Sequence, residues 1–165
     1  MTRDPGGHDM GGYDVVRTTD IAADPARVHA LVDDFQEWTT WSPWEDLDPA
    51  LERTYTGPDA GVGAHYAWRG NRKAGAGSME ITGSTPERID IQLVFQKPFA
   101  AVNPVAFTFT PTQVGGAPGT HVEWRMRGEP KGLWGLVGRL LPMDKMVGKD
   151  FDKGLARLKG VAEQP

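Results

Sequence analysis

The chain has 165 residues, a net charge of -4 at pH 7 and no cysteine, with 39% hydrophobic and 24% charged residues. This size predicts one domain that buries about 70% of the surface its unfolded form exposes. The acidic balance, without a basic stripe, speaks against nucleic-acid binding, and the absence of cysteine excludes disulfides, thiol nucleophiles and thiolate metal sites.

The domain is predicted to span residues 13–162, after a disordered lead at residues 1–12 that lacks the apolar core of a signal peptide. Residues 133–147 come nearest to a transmembrane segment, but charges and a proline interrupt them well short of the ~18 apolar residues needed. We expect a cytoplasmic protein without a cofactor, either a monomer or a homodimer.

The first elements are a strand and a helix. Residues 13–21 are rich in β-branched side chains, which favours a strand, and Asp24 followed by Pro25 is typical of a helix N-cap and first position. The apolar face of this helix is formed by residues at helical spacing, namely Val28, Leu31, Val32 and Phe35.

Three tryptophans, Trp38, Trp41 and Trp44, then fall within seven residues of a second short helix or tight turn. They are interpreted either as a gate at the mouth of a cavity or as a plug that seals the short helices against a sheet. We favour the plug, and we expect Trp44 to be the indole that touches a ligand.

The middle of the chain alternates between apolar and polar residues. This period of two predicts six strands, at residues 51–56, 64–70, 77–84, 88–96, 102–110 and 120–128, with glycine-rich turns between them, including a loop at 115–119. One apolar and one polar face indicate an antiparallel sheet solvated on one side, and no helices alternate with these strands as a parallel sheet would require.

A long helix is predicted at the C-terminal end, over residues 133–161. Its second half carries a single apolar stripe, formed by Met143, Val147, Phe151, Leu155 and Leu158. Pro142 divides this regular part from a glycine-rich first part, which we interpret as a movable entrance beside a fixed anchor.

Four stretches resemble the START/Bet v 1-like superfamily, also described as SRPBCC or polyketide cyclase/dehydrase-like proteins. They are IAADPARV (21–28), WTTWSPWE (38–45), GVGA leading into YAWRGN (61–71), and GKDFDKGL (148–155). The resemblance implies an α+β helix-grip fold, in which a curved antiparallel sheet of about seven strands wraps around a long C-terminal helix, with two short helices after strand 1. It also implies binding of lipids, sterols or polyketides, catalysis of cyclisation, or a chaperone-partner role.

The candidate ligand site is the apolar face of the sheet together with the residues opposite it. Either this face lines an internal cavity, or it fills a core. The predicted ligand-binding residues are Trp44, Tyr55, Tyr66, Trp68, Met79, Ile81, Leu93, Phe95, Phe107, Phe109, Trp124, Met126, Val147 and Phe151.

Candidates for acid–base chemistry are few. No catalytic residue is assigned: Glu45 lacks a visible partner, and Tyr55 and Tyr66 could instead hydrogen-bond a ligand carbonyl or a backbone group. The charged residues of opposite strand parity are expected to be solvated, namely Arg69, Glu80, His121, Glu123 and Arg125. The four histidines show no metal-ligand spacing, and we predict no metal site.

The leading functional hypothesis is binding of a small hydrophobic or aromatic molecule, lipid- or polyketide-like, between sheet and C-terminal helix. One alternative is a polyketide cyclase or aromatase that uses the same cavity and predicts that Glu45, Tyr55 or Tyr66 faces inward with a perturbed pKa. Another is a non-enzymatic interaction module or chaperone partner, which would need an exposed apolar patch.

Overall fold

The computed structural model describes residues 13–128 and 143–165. The elements in chain order are β1 (Tyr13–Ile21), α1 (Pro25–Asp33), a 3-10 helix (Glu37–Thr40), β2 (Glu52–Thr56), β3 (His65–Arg69), β4 (Ala76–Thr85), β5 (Arg88–Lys97), β6 (Ala101–Val114), β7 (Ala117–Gly128) and α2 (Met143–Ala162). The α+β helix-grip prediction is confirmed, and the second short helix is a single 3-10 turn. The predicted disordered lead at 1–12 and movable entrance at 133–142 lie outside the described residues.

The seven strands form one antiparallel sheet in the order β1-β7-β6-β5-β4-β3-β2. Between β4 and β5 the register shifts twice, at Ala76/Gly77 and at Ile81/Gly83. Such irregularities bend a strand and increase its twist, and they help the sheet to curve around α2. Strands β4 and β6 begin at one end of the sheet, and β3, β5 and β7 finish there. We call this side of the sheet the mouth end.

The hairpin between β6 and β7 is longer than predicted. Both strands continue to the pair Val114↔Ala117, so the prediction of a loop at 115–119 was wrong. Only Gly115 and Gly116 form the turn, and both have positive φ, 58° and 81°, as a two-residue type I′ turn requires. Proline and glycine residues predicted an earlier end of the strands, but Pro111, Pro118 and Gly119 all pair within the ladder.

Helix α2 lies across the sheet with its C-terminal end at the far side from the mouth. Its inward stripe is buried at Phe151, Leu155 and Leu158, while Val147, nearer the mouth end, is half-buried. The Arg27 guanidinium of α1 closes the C-terminal end by donating to the carbonyl oxygens of Ala162 (2.6 Å), Val161 (3.2 Å) and Gln164 (3.1 Å). These are carbonyls that a helix end leaves without an intrahelical partner.

The start of α1 differs in detail from the sequence-based expectation. Asp24 does occupy the N-cap position before Pro25, but its side chain makes no capping hydrogen bond. Its backbone carbonyl accepts from the amides of Arg27 and Val28 instead. The proline, with φ preset for a helix, therefore marks the helix start without help from the aspartate side chain.

Candidate functional site

The inner face of the sheet is fully buried at one side and less buried at the other. On β6 and β7, Phe107 and Trp124 are 0% and 1% exposed, whereas Tyr66 on β3 and Met79 on β4 are both 8% exposed. Farther toward the mouth end and the β2 edge, the predicted site residues become only half-buried, as is seen for Trp44, Tyr55, Trp68, Phe95 and Val147. We call the fully buried part of the predicted face the filled half and the less buried part the open half.

The filled half is centred on Trp124. Its ring stacks on Phe151 of α2 with centroids 3.9 Å apart and on Phe107 with centroids 4.8 Å apart. Helix α2 approaches so closely that a Cβ placed on Gly154 would lie 2.9 Å from the Trp124 ring. Of the residues predicted to bind a ligand, the structure places several in this close-packed core: Ile81, Phe107, Phe109, Trp124, Met126 and Phe151.

Trp38 and Trp41 belong to the same packed region. Both indoles are buried, and their Nε1 atoms donate to the carbonyl oxygens of Val32 (2.8 Å) and Leu31 (2.9 Å) at the end of α1. These hydrogen bonds fasten the 3-10 helix to α1 and provide acceptors for buried indole N–H groups. This geometry is that of a plug.

Trp44 is different, because it is half-buried and reaches the helix opposite the sheet. Its Nε1 donates to Oδ2 of Asp150 on α2 at 3.2 Å, and its ring meets the edges of Trp124 and Phe151 at centroid distances of 5.7 and 6.2 Å. Trp44 therefore stands at the border between the filled and the open half.

The open half is lined by four aromatic side chains that we call the aromatic wall: Tyr55, Tyr66, Trp68 and Phe95. Their ring centroids are separated by 5.2 Å (Tyr55–Tyr66), 6.0 Å (Tyr66–Trp68) and 6.0 Å (Trp68–Phe95), so the wall is continuous across four strands. Trp68 can lie flat on β4 because its neighbour there is Gly77, where a Cβ would come within 2.5 Å of the indole. Its Nε1 donates to the carbonyl of Ala74 at 2.9 Å.

One row of the ladder runs beneath the open half, and all of its side chains except Tyr55 are 2–8% exposed. The register pairs Tyr55 with Tyr66, Tyr66 with Met79, Met79 with Leu93, and Leu93 with Asn103. At strand spacings of about 4.8 Å, this row is roughly 19 Å long if measured flat. It has an apolar centre and polar ends, with phenols at the β2 side and an amide at the β6 side.

Asn103 was not predicted as a site residue. It is 2% exposed and accepts a hydrogen bond from the Tyr13 hydroxyl at 2.7 Å. Within the part of the chain that the structure describes, its Nδ2 and the Trp124 Nε1 are the buried side-chain polar atoms without a partner. Both are donors. The inner-face parity of position 103, shared with Val105 and Phe107, was the signal that could have identified it.

An ion pair stands at the β2 side of the aromatic wall. The Arg53 Nη2 lies 2.5 Å from the Glu45 Oε2, and the two side chains are only 29% and 17% exposed. Arg53 shares strand parity with Tyr55 and is paired in register with Trp68, so its side chain starts from the inner face. Glu45 was a predicted candidate, whereas Arg53 was not. Arg53 lies two residues before Tyr55 in β2, and this spacing places both side chains on the same face of the strand.

The phenols in this cluster remain protonated at neutral pH. Burial, reinforced by the negative charge of Glu45, raises the pKa of Tyr66 to about 12, and the Arg53 guanidinium offsets only part of this rise. Burial also raises the pKa of Tyr55. For Arg53, burial lowers the pKa, but the hydrogen bond and charge of Glu45 outweigh it and the net pKa is raised. Arg53, Tyr55 and Tyr66 are therefore hydrogen-bond donors around neutral pH.

A second polar cluster lies between α1 and β4. The Ser84 hydroxyl donates to Asp33 Oδ1 at 2.7 Å and lies 3.4 Å from His29 Nε2. In a hydrolytic triad the histidine stands between serine and acid, whereas here the serine proton is directed to the acid. The cluster therefore ties α1 to β4 and does not activate a nucleophile. An open concavity of about 640 Å³ follows α1 beside it, and its lining combines charged residues such as Arg27, Asp34 and Glu37 with apolar surface.

The outer face of the sheet carries ion pairs between neighbouring strands. Arg125 on β7 pairs with Asp14 on β1, and His121 Nδ1 lies 2.6 Å from Asp20 Oδ1. Residues 13–128 and 143–165 contain no group of three or more histidine, aspartate or glutamate side chains arranged to hold a metal ion. Over the same residues, no helix has both the length and the apolar character needed to cross a bilayer.

Solved structures share the fold at low sequence identity. Protein CV1439 from Chromobacterium violaceum matches with a TM-score of 0.63 and 16% identity over 92% of this chain and 99% of that one. The Aha1 dimer from Colwellia psychrerythraea matches with a TM-score of 0.62 and 15% identity over 92% and 96%. The di-domain ARO/CYC BexL, from the BE-7585A biosynthetic pathway, matches with a TM-score of 0.64 and 14% identity over 94% of this chain and 52% of BexL.

No curated protein matches the sequence significantly. The family model described as polyketide cyclase / dehydrase and lipid transport, by contrast, matches residues 13–163, which include every described strand and helix. Because this match spans nearly the whole chain and agrees with the observed fold, the protein belongs to the polyketide cyclase/dehydrase and lipid transport family, within the START/Bet v 1-like superfamily.

Proposed function

We propose that the protein binds a small hydrophobic or aromatic molecule between the aromatic wall and the N-terminal half of α2. The observation that carries this proposal is the incomplete burial of inward-facing Trp68, Phe95 and Val147, beside a core that is otherwise packed to 0–2% exposure at residues such as Phe107 and Leu155. A ligand that covers these side chains gains about 25 cal/mol for each Å² of apolar surface it removes from water.

Family membership supports the same class of ligand. The family description names polyketide cyclases, dehydrases and lipid transport, and BexL is a di-domain ARO/CYC protein of a biosynthetic pathway. Aromatic rings and the thioether of Met79 offer a surface that suits flat or flexible apolar molecules. The filled half limits the ligand to the mouth end of β2–β5.

The direct test is native mass spectrometry of the protein purified from its own host, followed by thermal unfolding with the identified molecule. A ligand at 100 times its Kd should stabilise the fold by about 2.7 kcal/mol. Val147→Ser, at the mouth, should weaken binding, whereas Val62→Ser, at a residue that is 60% exposed in the β2–β3 turn, should not. Absence of any retained apolar molecule, together with no thermal shift across a panel of hydrophobic ligands, would overturn the proposal.

A second candidate is a cyclase- or aromatase-type enzyme that uses the same site. The observation in its favour is that none of the three acid–base candidates faces bulk solvent: Tyr66 is buried, Tyr55 is half-buried, and the Glu45 side chain is 17% exposed. In such an enzyme, Glu45 would accept a proton from a ketone α-carbon and that carbon would attack a second carbonyl carbon of the chain. Arg53 would hold the oxygen of this carbonyl by hydrogen bonds, and a phenol would protonate it as the carbon–carbon bond forms. Conversion of a linear poly-β-ketone into a cyclic product by wild-type protein, and none by Glu45→Gln, is the expected result.

A further inference from the structure

We infer that the ligand is an aromatic or similarly apolar molecule bearing uncharged acceptor oxygens, such as ketone or ester carbonyls, and that the site discriminates against carboxylates. This inference rests on the proposed binding function and specifies its ligand class. It follows from the donors of the open half and from the negative charges that surround them.

The open half carries hydrogen-bond donors at both ends of the row. At the β2 side, Arg53 has five N–H groups, of which Nη2 contacts Glu45 and another hydrogen bond reaches the Tyr66 oxygen. Tyr55 and Tyr66 add two O–H groups beside it. At the other end of the row, the buried Nδ2 of Asn103 has no acceptor within the described ranges. A buried donor is normally paired, so Asn103 Nδ2 calls for an acceptor oxygen from a ligand, and Arg53 and the phenols offer further donors at the other end of the row.

The charges around these donors disfavour an anionic ligand. Arg53 is the cation of this cluster, and Glu45 already balances it. Asp34 adds a further negative charge that acts on Tyr55, and Asp150 lies across the mouth on α2, where it accepts from Trp44. A ligand carboxylate could approach Arg53 only by displacing Glu45 or by sharing the guanidinium with it, at close range to a like charge. A neutral carbonyl meets the same donors without that repulsion.

The arrangement of polar and apolar groups along the row indicates the shape of the ligand. The polar groups lie at the ends of the row from Tyr55 to Asn103, and its centre consists of Met79 and Leu93. An apolar ring system over the centre would present its oxygen substituents at the rim to one or both ends. The site thus combines an apolar surface with hydrogen-bond donors at its ends, and such a site is complementary to a carbonyl-bearing aromatic skeleton.

The test compares three probes with one skeleton: naphthalene, 2-acetylnaphthalene and 2-naphthoate, titrated at pH 7.5 with tryptophan fluorescence as the readout. For the wild type we expect 2-acetylnaphthalene to bind about tenfold more tightly than naphthalene, since a hydrogen bond to a charged donor is worth roughly tenfold in affinity. We expect it to bind about tenfold more tightly than 2-naphthoate as well, because Glu45 repels the carboxylate of that probe. Wild-type protein alone is sufficient for this comparison.

Glu45→Gln tests the origin of the discrimination. This variant keeps the shape of the side chain and removes its charge, so 2-naphthoate should bind about tenfold more tightly while 2-acetylnaphthalene changes less than about twofold. The matched control is Asp14→Asn, which breaks the ion pair with Arg125 on the outer face and should leave all three affinities unchanged.

The outcomes separate this inference from the function on which it rests. If naphthalene binds and the other two probes bind equally well, the apolar site stands and the inference is overturned. Tighter binding of 2-naphthoate than of 2-acetylnaphthalene by the wild type, or a Glu45→Gln variant with an unchanged ranking, overturns it as well. If none of the three probes binds, the proposed binding function fails and the inference fails with it.

Discussion

Replacing Gly154 with alanine tests whether α2 is seated directly on the tryptophan cluster. An added Cβ would lie 2.9 Å from Cζ3 of Trp124 and 2.9 Å from Cδ of Pro43, well inside normal contact distance. Trp124 cannot easily move away, because it is stacked between Phe151 at 3.9 Å and Phe107 at 4.8 Å. The strain must therefore be taken up by a shift of the helix or of the whole cluster.

The expected magnitude follows from two opposing terms. Alanine is about 1 kcal/mol better than glycine inside a helix, and overpacking a close-packed core costs roughly 1–3 kcal/mol. With two restrained neighbours, we expect the upper end of that cost for Gly154→Ala and a net loss of about 2 kcal/mol in the free energy of unfolding. Gly160, in the same helix, would place a Cβ with nothing within 4 Å. Gly160→Ala should therefore gain about 0.5–1 kcal/mol.

The assay is urea unfolding of both variants, followed by tryptophan fluorescence and circular dichroism. In thermal scans, 1 kcal/mol corresponds to about 2–4 °C for a domain of this size, so Gly154→Ala should melt roughly 4–8 °C lower and Gly160→Ala about 1–4 °C higher than the wild type. Equal stabilisation by both substitutions would refute the reasoning. It would mean that α2 stands away from Trp124 and that the half described as filled has free space.

Three further predictions concern other contacts. The pKa of Tyr66 in the folded protein, about 12, lies above the ordinary 10.0. The contribution of this phenol to stability is therefore complete below pH 10 and is lost as the pH rises through 12. In urea unfolding at matched ionic strength, the midpoint of Tyr66→Phe should decline less steeply than that of the wild type between about pH 9.5 and 11.5. Arg27→Met should speed hydrogen exchange in the last turn of α2, because Arg27 binds the carbonyl of Ala162, while exchange in β5 stays unchanged. Thr120→Val should cost about 1–3 kcal/mol of unfolding free energy, since it removes the 2.7 Å hydrogen bond to the carbonyl of Ala23 and leaves that acceptor without its donor.

The parts of the fold that depend on local periodicity could be predicted. Alternation along the strands identified the inner face of β5 correctly, where Ile89, Ile91 and Leu93 are all buried. Helical spacing identified Phe151 and Leu155 as the inward side of α2. In both cases the side-chain direction follows from the backbone period alone, so no knowledge of distant contacts was needed.

The division into a filled and an open half could not be predicted, because it depends on where α2 crosses the sheet. Phe107 and Phe95 are the same residue type at the same strand parity, yet the first is 0% exposed and the second is half-buried. The difference arises from tertiary neighbours. Trp38 and Trp124 cover Phe107, whereas Phe95 meets Trp68 edge to face. Spacing within one strand carries no information about such coverage.

Arg53 was missed for a different physical reason. An arginine in a short edge strand fits a solvated position, and what turns its side chain toward the aromatic wall is a partner from a distant loop, Glu45. The sequence shows both residues but not their pairing. Asn103 is a similar case. An amide on the same strand face as Val105 and Phe107 is unexpected in the sequence, and its hydrogen bond from the distant Tyr13 hydroxyl is visible only in the structure.

A binding protein and a cyclase would place different demands on Glu45. The phenols of Tyr55 and Tyr66 have raised pKa values and, like Arg53, donate hydrogen bonds at neutral pH, so none of them can accept a proton from carbon. The carboxylate of Glu45 is thus the acceptor of this cluster, and its contact with Arg53 would have to loosen during each turnover. If the protein only binds, Glu45→Gln keeps its affinity for a neutral ketone; if it also turns over, the same variant keeps that affinity and loses the reaction. Retention of both binding and turnover in Glu45→Gln would remove this cluster as the source of any catalysis.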